Sequence, residues 1–484
     1  MDASAATPEA FPRRSTRGVL AGLGATQMIA VGVAAAIALV TLVATQSVGA
    51  VATAGIVWGP VAAAAFIPVK GRKLVEWVAV VAHFVGSRLS RQHRFEKRLL
   101  LPRPDGNLNL PGDAAALRLF VDPLVGAAMI RDPHARTLTA IARTHPRTQF
   151  LFLDDAEQER RSFAWARALA GIGRLEGVVR VQTLERTIAE SGVGVSGWWR
   201  DWAQKAPEGS WARTQYEDLV GHAADRAERH ETLLAVTVAR SGAENLVRQA
   251  GGGTNGMAVV LGQAMRSVEM ALHNVDVSVD AWLPRIELNQ MIAGTYRPSR
   301  ISDIEMHGLA GSEATNAPFT IVDEWDHLVI DDAFFQVWAV TAWPRIPAHA
   351  GFLRPVILLP GVRATWSMTY EPVATDRAIS RAQREITAEA TAAMERTKRG
   401  QVETPIHVQE RTQAHQHLAD VASGFSEMRF AGTITISAAT MDELRLAGAR
   451  IRSAAVEAQL EISIAYGQQA ALFATTALPI GRGM

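Results

Sequence analysis

The sequence contains no cysteine and has no excess of either charge. The lack of thiols excludes disulfides, zinc–thiolate sites, iron–sulfur clusters and cysteine nucleophiles. The 49 Lys and Arg residues nearly balance the 48 Asp and Glu residues, which gives a formal net charge of +1. This balance argues against a protein whose main role is to coat nucleic acid, because phosphate binding requires an excess of cations. Contact with nucleic acid elsewhere on the chain stays open.

Ionisable side chains are absent from Gly18 to Val69, a run of 52 residues. A bilayer core about 30 Å thick is crossed by about 20 helical residues. The run therefore predicts a transmembrane hairpin with helices near Val19–Ala44 and Val48–Ile67, joined by the polar turn Thr45–Ser47. A hairpin buried in a soluble protein is one alternative. A cleaved signal peptide is another, although its apolar region is much shorter.

Basic residues flank the uncharged run on both sides: Arg13, Arg14 and Arg17 before it, and Lys70, Arg72 and Lys73 after it. Cationic segments stay on the cytoplasmic side of a membrane. The sequence therefore predicts a multi-pass protein of the inner, cytoplasmic membrane with both termini in the cytoplasm.

Residues 71–98 follow the run as a basic amphipathic segment. Its apolar positions recur at helical spacing and its cations are Arg and Lys. Such a segment favours a helix on the membrane surface, with Trp77 at the level of the lipid headgroups. A nucleic-acid-binding arm is the alternative interpretation.

The chain after this segment predicts a mixed α/β cytoplasmic body of two or more layers. The whole protein is therefore predicted to be α+β, with an N-terminal transmembrane helix hairpin followed by this body. Turn residues and prolines indicate the boundaries. The predicted regions are 1–70 (basic tail and hairpin), 71–98 (interfacial helix), 99–115 (linker), 116–298 (α+β subdomain), 299–318 (linker) and 319–484 (α+β subdomain).

Alternating and continuous apolar runs predict the strands of the body. They are 117–121, 124–130, 137–142, 149–153, 178–184, 232–239, 319–322, 327–330, 334–343, 356–359, 364–370, 429–437 and 461–466. Helical periodicity and caps predict helices at 155–170, 210–230, 257–273, 376–398, 406–422 and 441–460. Thr440 and Glu443 form a capping box for the last of these helices, and Asp154-Asp155 begin the first.

The glycine-rich segment Gly251–Gly256 has the glycine spacing of a phosphate-binding loop. Met257 and Ala258 occupy the positions where that loop needs Lys and Ser or Thr. A flexible loop before a helix is therefore the better interpretation.

Histidines and paired acids do not form a recognisable site either. His415 and His417 would point to different faces of a helix, so with His407 they do not make a metal site. The acid pairs at 154–155, 323–324 and 331–332 fit caps or turns. The sequence thus predicts no catalytic residue, no cofactor and no metal, and so a non-enzymatic protein.

Trp198, Trp199 and Trp202 form an aromatic group near several glycines. They fit a partner-binding patch or plain packing against a helix.

Two regions resemble components of conjugation machinery. The uncharged run followed by Gly71–Trp77 resembles the small two-helix, PrgI-like membrane subunit of type IV secretion systems. Phe335–Pro344, the charged helices at 376–398 and 406–422, Gln468-Gln469 and Leu478–Gly481 resemble the N-terminal, non-catalytic domain of the conjugative secretion ATPase. Fusions of this kind resemble a family encoded in actinobacterial mobile elements.

The resemblance implies a membrane component that anchors and positions an ATPase carried on a separate chain. Its implied partners are membrane lipid, that ATPase, other secretion-channel subunits and further copies of itself. The Walker lysine is missing, so no ATPase residue is carried over. A type VII secretion component of the EccE kind and a membrane-anchored enzyme with an unrecognised site are the alternatives.

Overall fold

The computed structural model describes most of the chain. The described residues are 25–46, 66–69, 72–97, 106–122, 126–148, 150–189, 210–226, 228–301, 316–344, 348–398 and 427–483, with the single residues 49, 55, 59, 63, 199, 202, 203, 207, 209, 303, 304, 412 and 418.

Helices are interspersed among the strands of antiparallel sheets, which is an α+β arrangement. The helices are α1 Ala25–Thr45, α2 Leu74–Leu89, α3 Asp155–Ile172, α4 Trp211–Arg226, α5 Glu244–Gln249, α6 Gly253–His273, α7 Arg285–Tyr296, α8 Arg354–Ile357, α9 Thr375–Lys398, α10 Met441–Glu457 and α11 Gln469–Thr476. The strands are β1 Pro68–Val69, β2 Arg72–Lys73, β3 Arg94–Glu96, β4 Arg118–Val121, β5 Ala128–Asp132, β6 Thr137–Pro146, β7 Val178–Ala189, β8 Glu228–Ala239, β9 Val277–Trp282, β10 Thr320–Asp323, β11 Leu328–Ile330, β12 Ala333–Ala342, β13 Arg363–Pro372, β14 Met428–Ala438 and β15 Glu461–Ile464.

The chain forms two compact units, each built from separate stretches of sequence. Unit 1 comprises Met1–Leu99, Pro318–Val362 and Ile434–Phe473. It contains antiparallel strands in the order β3-β10-β11-β12, and β15 pairs with the C-terminal half of β12.

Unit 2 comprises Leu100–Ala317, Arg363–Thr433 and Ala474–Met484. It contains a large antiparallel sheet in the order β13-β7-β8-β6-β5-β4, with β9 beside the C-terminal half of β6. Side chains of successive residues point to opposite faces of this sheet. One face packs on α3 and α6 through buried residues such as Leu138, Val181, Val236, Leu261 and Val268.

The chain runs twice through the same order of elements. A three-stranded antiparallel meander ends in a ten-residue strand, β6 or β12. Later come a long neighbouring strand (β8 or β14), a helix (α6 or α10), a short strand beside the ten-residue strand (β9 or β15) and a final helix (α7 or α11).

Irregularities of the backbone repeat with the elements. The pairing of β6 with β9 shifts register between Arg143 and Thr144, and that of β12 with β15 shifts between Val340 and Ala342. The connections from helix to short strand each hold a left-handed residue, Asp276 at φ 62° and Gln459 at φ 57°. We interpret the two passes as copies of one supersecondary plan.

Most predicted elements are present with shifted ends, but two predicted strands were wrong. Gln149–Leu153 contains a 3₁₀ turn at Phe150–Phe152, and Val356–Leu359 overlaps helix α8, which has a proline in its first turn. Short apolar runs fit strand and helix equally well, so flanking residues decide between them. The predicted helix at 406–422 lies outside the described residues, apart from the single residues 412 and 418.

The predicted multi-pass localisation was wrong as it stood. Among the described residues, one helix near the N-terminus is long and apolar enough to cross a membrane: Gln27–Thr45, with a mean hydropathy of 2.5 and 11% of it buried. A signal sequence has the same properties. The second predicted helix, Val48–Ile67, lies almost entirely outside the described residues, so a two-helix hairpin is not shown.

Candidate membrane-facing surface

Helix α2 lies in unit 1 with one face fixed to the body. Trp77 and Val80 are its buried residues. The Trp77 ring lies 6.0 Å from that of Trp325 and 5.9 Å from that of Tyr466, and Phe84 meets Trp325 edge-on at 5.0 Å. Aromatic pairs at these separations add stabilisation beyond the apolar area they bury. The cluster therefore fixes the rotation of α2 about its axis.

Polar contacts and one glycine complete this attachment. The Trp77 Nε1–H donates to the Val69 carbonyl at 3.1 Å, and Arg88 forms an ion pair with Glu324. Gly467 has φ +66°, and a Cβ there would lie 2.6 Å from the Trp325 ring. Only glycine fits at that point, because both the backbone angle and the space exclude a side chain.

The face of α2 next to this attachment carries an exposed aliphatic stripe. Its residues recur at intervals of three and four, which places them on one face of a helix. They are Leu74, Val78, Val81, Val85 and Leu89, with exposures from 37% at Leu74 to 81% at Leu89. We call this set the α2 stripe. A row of aliphatic side chains left in water indicates a surface that another apolar phase covers.

A buried carboxyl group lies beside this attachment. Burial raises the pKa of Asp323 to about 6, although the Ala470 N–H, 3.3 Å away at the start of α11, favours the ionised form. Asp323 belongs to one of the acid pairs that the sequence assigned to a cap or turn. Its contact with the first turn of α11 agrees with a capping role.

The predicted basic segment is part helix and part strand. Helix α2 ends at Leu89, Arg91 adopts a left-handed φ of 57°, and β3 begins at Arg94. Helical periodicity predicted one helix as far as residue 98. The pairing of β3 with β10, more than two hundred residues away, determines the strand and has no local signal.

Unit 2 holds a different kind of polar cluster, a partly buried ion network on the sheet face opposite α3 and α6, with Arg186 and Glu231 at its buried end. Arg143 donates to Glu231 at 2.9 Å and to Glu287 of α7 at 2.8 Å, and Arg186 meets Glu231 at 3.3 Å. Burial alone would raise the pKa of Glu231, but Arg186 and Arg143 outweigh it and lower that pKa. The charges satisfy one another, which is the arrangement of a structural network.

The other face of the same strands carries Glu185. Burial raises the pKa of its carboxyl to about 7, while the Thr232 hydroxyl donates to it at 2.8 Å. No sequence motif indicated Glu185 or the ion network. Both depend on strand register, which places Glu185 opposite Thr232 and Arg186 opposite Glu231.

The glycine-rich segment has a packing role in the structure. Gly251, Gly252 and Gly253 have positive φ angles and lead directly into α6. A Cβ on Gly256 would overlap the Val247 carbonyl oxygen, so this glycine allows α5 and α6 to approach closely. The loop interpretation holds only in part: Gly251 and Gly252 precede the helix, whereas Gly253–Gly256 already form the first turn of α6.

The remaining sequence candidates divide as follows. His407, His415, His417 and Trp198 lie outside the described residues. Within the described part of the chain, no group of three or more His, Asp and Glu residues could hold a metal ion. Asp154 accepts a hydrogen bond from the Glu157 N–H at 2.8 Å and so caps α3. Asp331 accepts from the N–H groups of Phe319 and Thr320 in a turn.

Large aromatic side chains lie on α4 and just before it in the chain, and most of them are exposed. Trp199 stacks on Tyr216, with ring centroids 5.5 Å apart and an interplanar angle of 13°. Trp202, Trp211 and Leu219 are exposed, Trp211 by 78%. We call these five residues the α4 aromatic patch. Large exposed aromatic groups are frequent at protein–protein interfaces.

The Leu478–Gly481 segment covers the ion-network face of the unit 2 sheet. The Gln182 Nε2 donates to the Thr475 carbonyl at 2.9 Å, and Arg180 donates to the Gly481 carbonyl. Beyond it, Arg482 donates to Asp132 at 2.8 and 3.0 Å. Comparison with known proteins adds no assignment: no protein-family model matches this chain, and no curated protein matches it.

Proposed function

We propose that this protein is a non-enzymatic, membrane-associated component of a conjugation or type IV secretion apparatus, and that it positions an ATPase carried on a separate chain. The observation that carries the proposal is the distribution of side chains in the described body. Aliphatic and aromatic groups are exposed on the helices α2 and α4, whereas Arg143, Arg186 and Glu231 of unit 2 are paired with one another.

The distribution of charge supports a binding role. Glu231, Arg143 and Arg186 neutralise one another, and Asp132 is held by Arg482. A catalytic site needs groups aimed at a substrate in a cleft. Groups already engaged with each other, as these are, stabilise a scaffold.

The resemblance of Phe335–Pro344 and Leu478–Gly481 to the ATPase N-terminal domain supports the choice of partner. The α4 aromatic patch is the surface that we assign to protein docking. Aromatic side chains bury large areas on association and dominate the energy of many interfaces.

The test is affinity purification of the tagged full chain, gently extracted from its native membrane, followed by mass spectrometry. We expect a conjugative-type ATPase at near-stoichiometric amount. Recovery with type VII components would support the EccE-like alternative, and ATP hydrolysis by the purified protein alone would support an enzyme. Either result would contradict the proposal.

A matched pair of variants locates the docking surface. Trp211→Ala with Leu219→Ser should reduce recovery of the ATPase at least tenfold, because the variant removes the two most exposed apolar side chains of the α4 aromatic patch. Phe152→Ala is the control, since Phe152 is an aromatic residue of the same unit with 84% exposure. Equal recovery with both variants would exclude the patch as the docking surface.

A further inference from the structure

The α2 stripe is aliphatic throughout and lies on a helix that cannot turn it inward. Trp77 and Phe84 hold the other face against Trp325 and Tyr466. Rotation that buried Val78 or Val81 would break this aromatic cluster. The stripe therefore needs an apolar phase from outside the described body.

The composition of the stripe favours lipid over a protein partner. Energetically important interface positions are rich in Trp, Tyr and Arg, and the stripe contains only Leu and Val. Its 16-residue helix is about 24 Å long, which is too short to cross a bilayer core of about 30 Å. An amphipathic helix that does not cross the bilayer can instead lie in its surface, with the apolar face at the acyl boundary.

Neighbouring elements supply continuity and charge. Helix α1 contacts α2 and exposes its own apolar side chains, among them Ile29, Val40 and Val43. Just beyond α2 lie the exposed cations Arg91 and Arg94, of which Arg94 also pairs at 2.8 Å with the exposed Glu96, a surface pair that water or phosphate can replace. Cations beside an apolar stripe match the negative potential of a surface that contains anionic lipid.

We propose that α2 lies in the headgroup region of a bilayer containing anionic lipid, with the α2 stripe in the acyl boundary and Arg91 and Arg94 at the phosphates. The proposal rests on the membrane association in the proposed function, and it identifies the lipid class. The aromatic cluster then acts as a rigid connection that sets the orientation of unit 1 on the membrane.

The protein contains no cysteine, so a single introduced cysteine can be labelled specifically with an environment-sensitive fluorophore. The full chain carrying Val81→Cys is labelled and mixed with vesicles of equal parts phosphatidylcholine and phosphatidylglycerol. We expect a blue shift and quenching by brominated acyl chains. The control is Leu446→Cys on α10, in the same unit and 63% exposed, which should show neither effect.

Lipid charge is tested with Arg91→Glu combined with Arg94→Glu. Since α1 keeps the labelled full chain on the vesicle, the readout is the placement of α2: the variant should reduce quenching at Val81→Cys severalfold on phosphatidylglycerol vesicles and leave it unchanged on phosphatidylcholine alone. Circular dichroism that matches the parent chain confirms folding.

No spectral change at Val81→Cys, or an equal change at Leu446→Cys, would overturn the placement of α2. Insensitivity to the charge reversal would overturn the anionic-lipid assignment. Co-purification of the ATPase is measured separately, so failure of the lipid proposal is distinguishable from failure of the proposed function.

Discussion

Gly481 is the last residue of the Leu478–Gly481 segment, and the structure explains why this position is a glycine. It adopts φ +66°, and a Cβ there would overlap the hydroxyl oxygens of Thr237 and Thr139. Those two hydroxyls are hydrogen-bonded to each other at 2.9 Å on the sheet. The glycine therefore lets the Leu478–Gly481 segment lie directly on the strands.

Gly481→Ala should destabilise unit 2 by about 3 kcal/mol, because it adds both backbone strain and overlap with β6 and β8. Gly126→Ala is the matched control, with φ +71° and open space around the added Cβ. Its loss should be about 1 kcal/mol. Urea unfolding of both variants measures the difference, and equal losses would contradict the steric explanation.

Glu185 provides a pH-dependent prediction at the same scale. The folded state holds its proton more tightly than the unfolded chain, whose ordinary pKa is 4.5, since burial raises the folded pKa to about 7. Stability therefore decreases as the pH rises from about 4.5 to about 7.

Glu185→Gln should remove this loss and stabilise the protein at pH 8 by about 2 kcal/mol, because no buried charge remains to be desolvated. The glutamine oxygen can still accept from Thr232. Denaturant unfolding at pH 5 and pH 8 checks the prediction. A variant that is less stable than the parent at pH 8 would show that the charged form has a favourable role.

At the scale of elements, the ion network joins β6, β7, β8 and α7. Removing the shared carboxylate takes a charge partner from Arg186, whose side chain is 3% exposed, and this costs more than the pair itself contributes. Surface ion pairs behave differently, since water replaces the lost partner.

Glu231→Gln should destabilise unit 2 by about 3 kcal/mol, because Arg186 and Arg143 then lose their shared carboxylate. Asp442→Asn on α10 is the control, as its pair with Arg445 is exposed on both sides. The control should lower the unfolding midpoint much less, since Asp442 supplies only an exposed pair and one charge in the first turn of α10. Comparable losses in the two variants would show that the network is solvated rather than buried.

Element prediction succeeded where local chemistry decides. Asp154 caps α3 as expected, and Thr440 accepts from the Glu443 N–H at 3.3 Å at the start of α10. It failed where partners far along the chain decide. The β3 strand needs β10, and the short apolar segment at 356–359 joins a helix despite its strand-like composition.

At the scale of the whole molecule, unit 1 draws on three stretches of the chain. Gln469 accepts from the Val337 N–H at 2.8 Å, and Phe473 packs on Phe335 at 5.1 Å. Unit 1 is thus held together by contacts between residues more than 130 positions apart in the sequence. The same order of strands and helices occurs twice along the chain, and these two passes form most of the body.

A chain shortened by removal of residues 1–66 separates the membrane contribution of α2 from that of α1. It keeps β1, β2 and α2, so it should sediment with phosphatidylglycerol vesicles at low salt and detach near 0.5 M salt, because salt screens the Arg91 and Arg94 contacts. The full chain should stay bound under both conditions through α1. Retention of the shortened chain at high salt would contradict the proposed roles of α1 and α2.

The sequence by itself determined the mixed α/β class, the presence of the long helices, the caps and the apolar character of α1. These properties depend on periodicity and on neighbours within a few residues. Tertiary structure decided which face of α2 is buried, the ion network, the close packing of Gly481 on the strands and the division into units. Each of these requires register between residues distant in sequence, and no local pattern encodes that register.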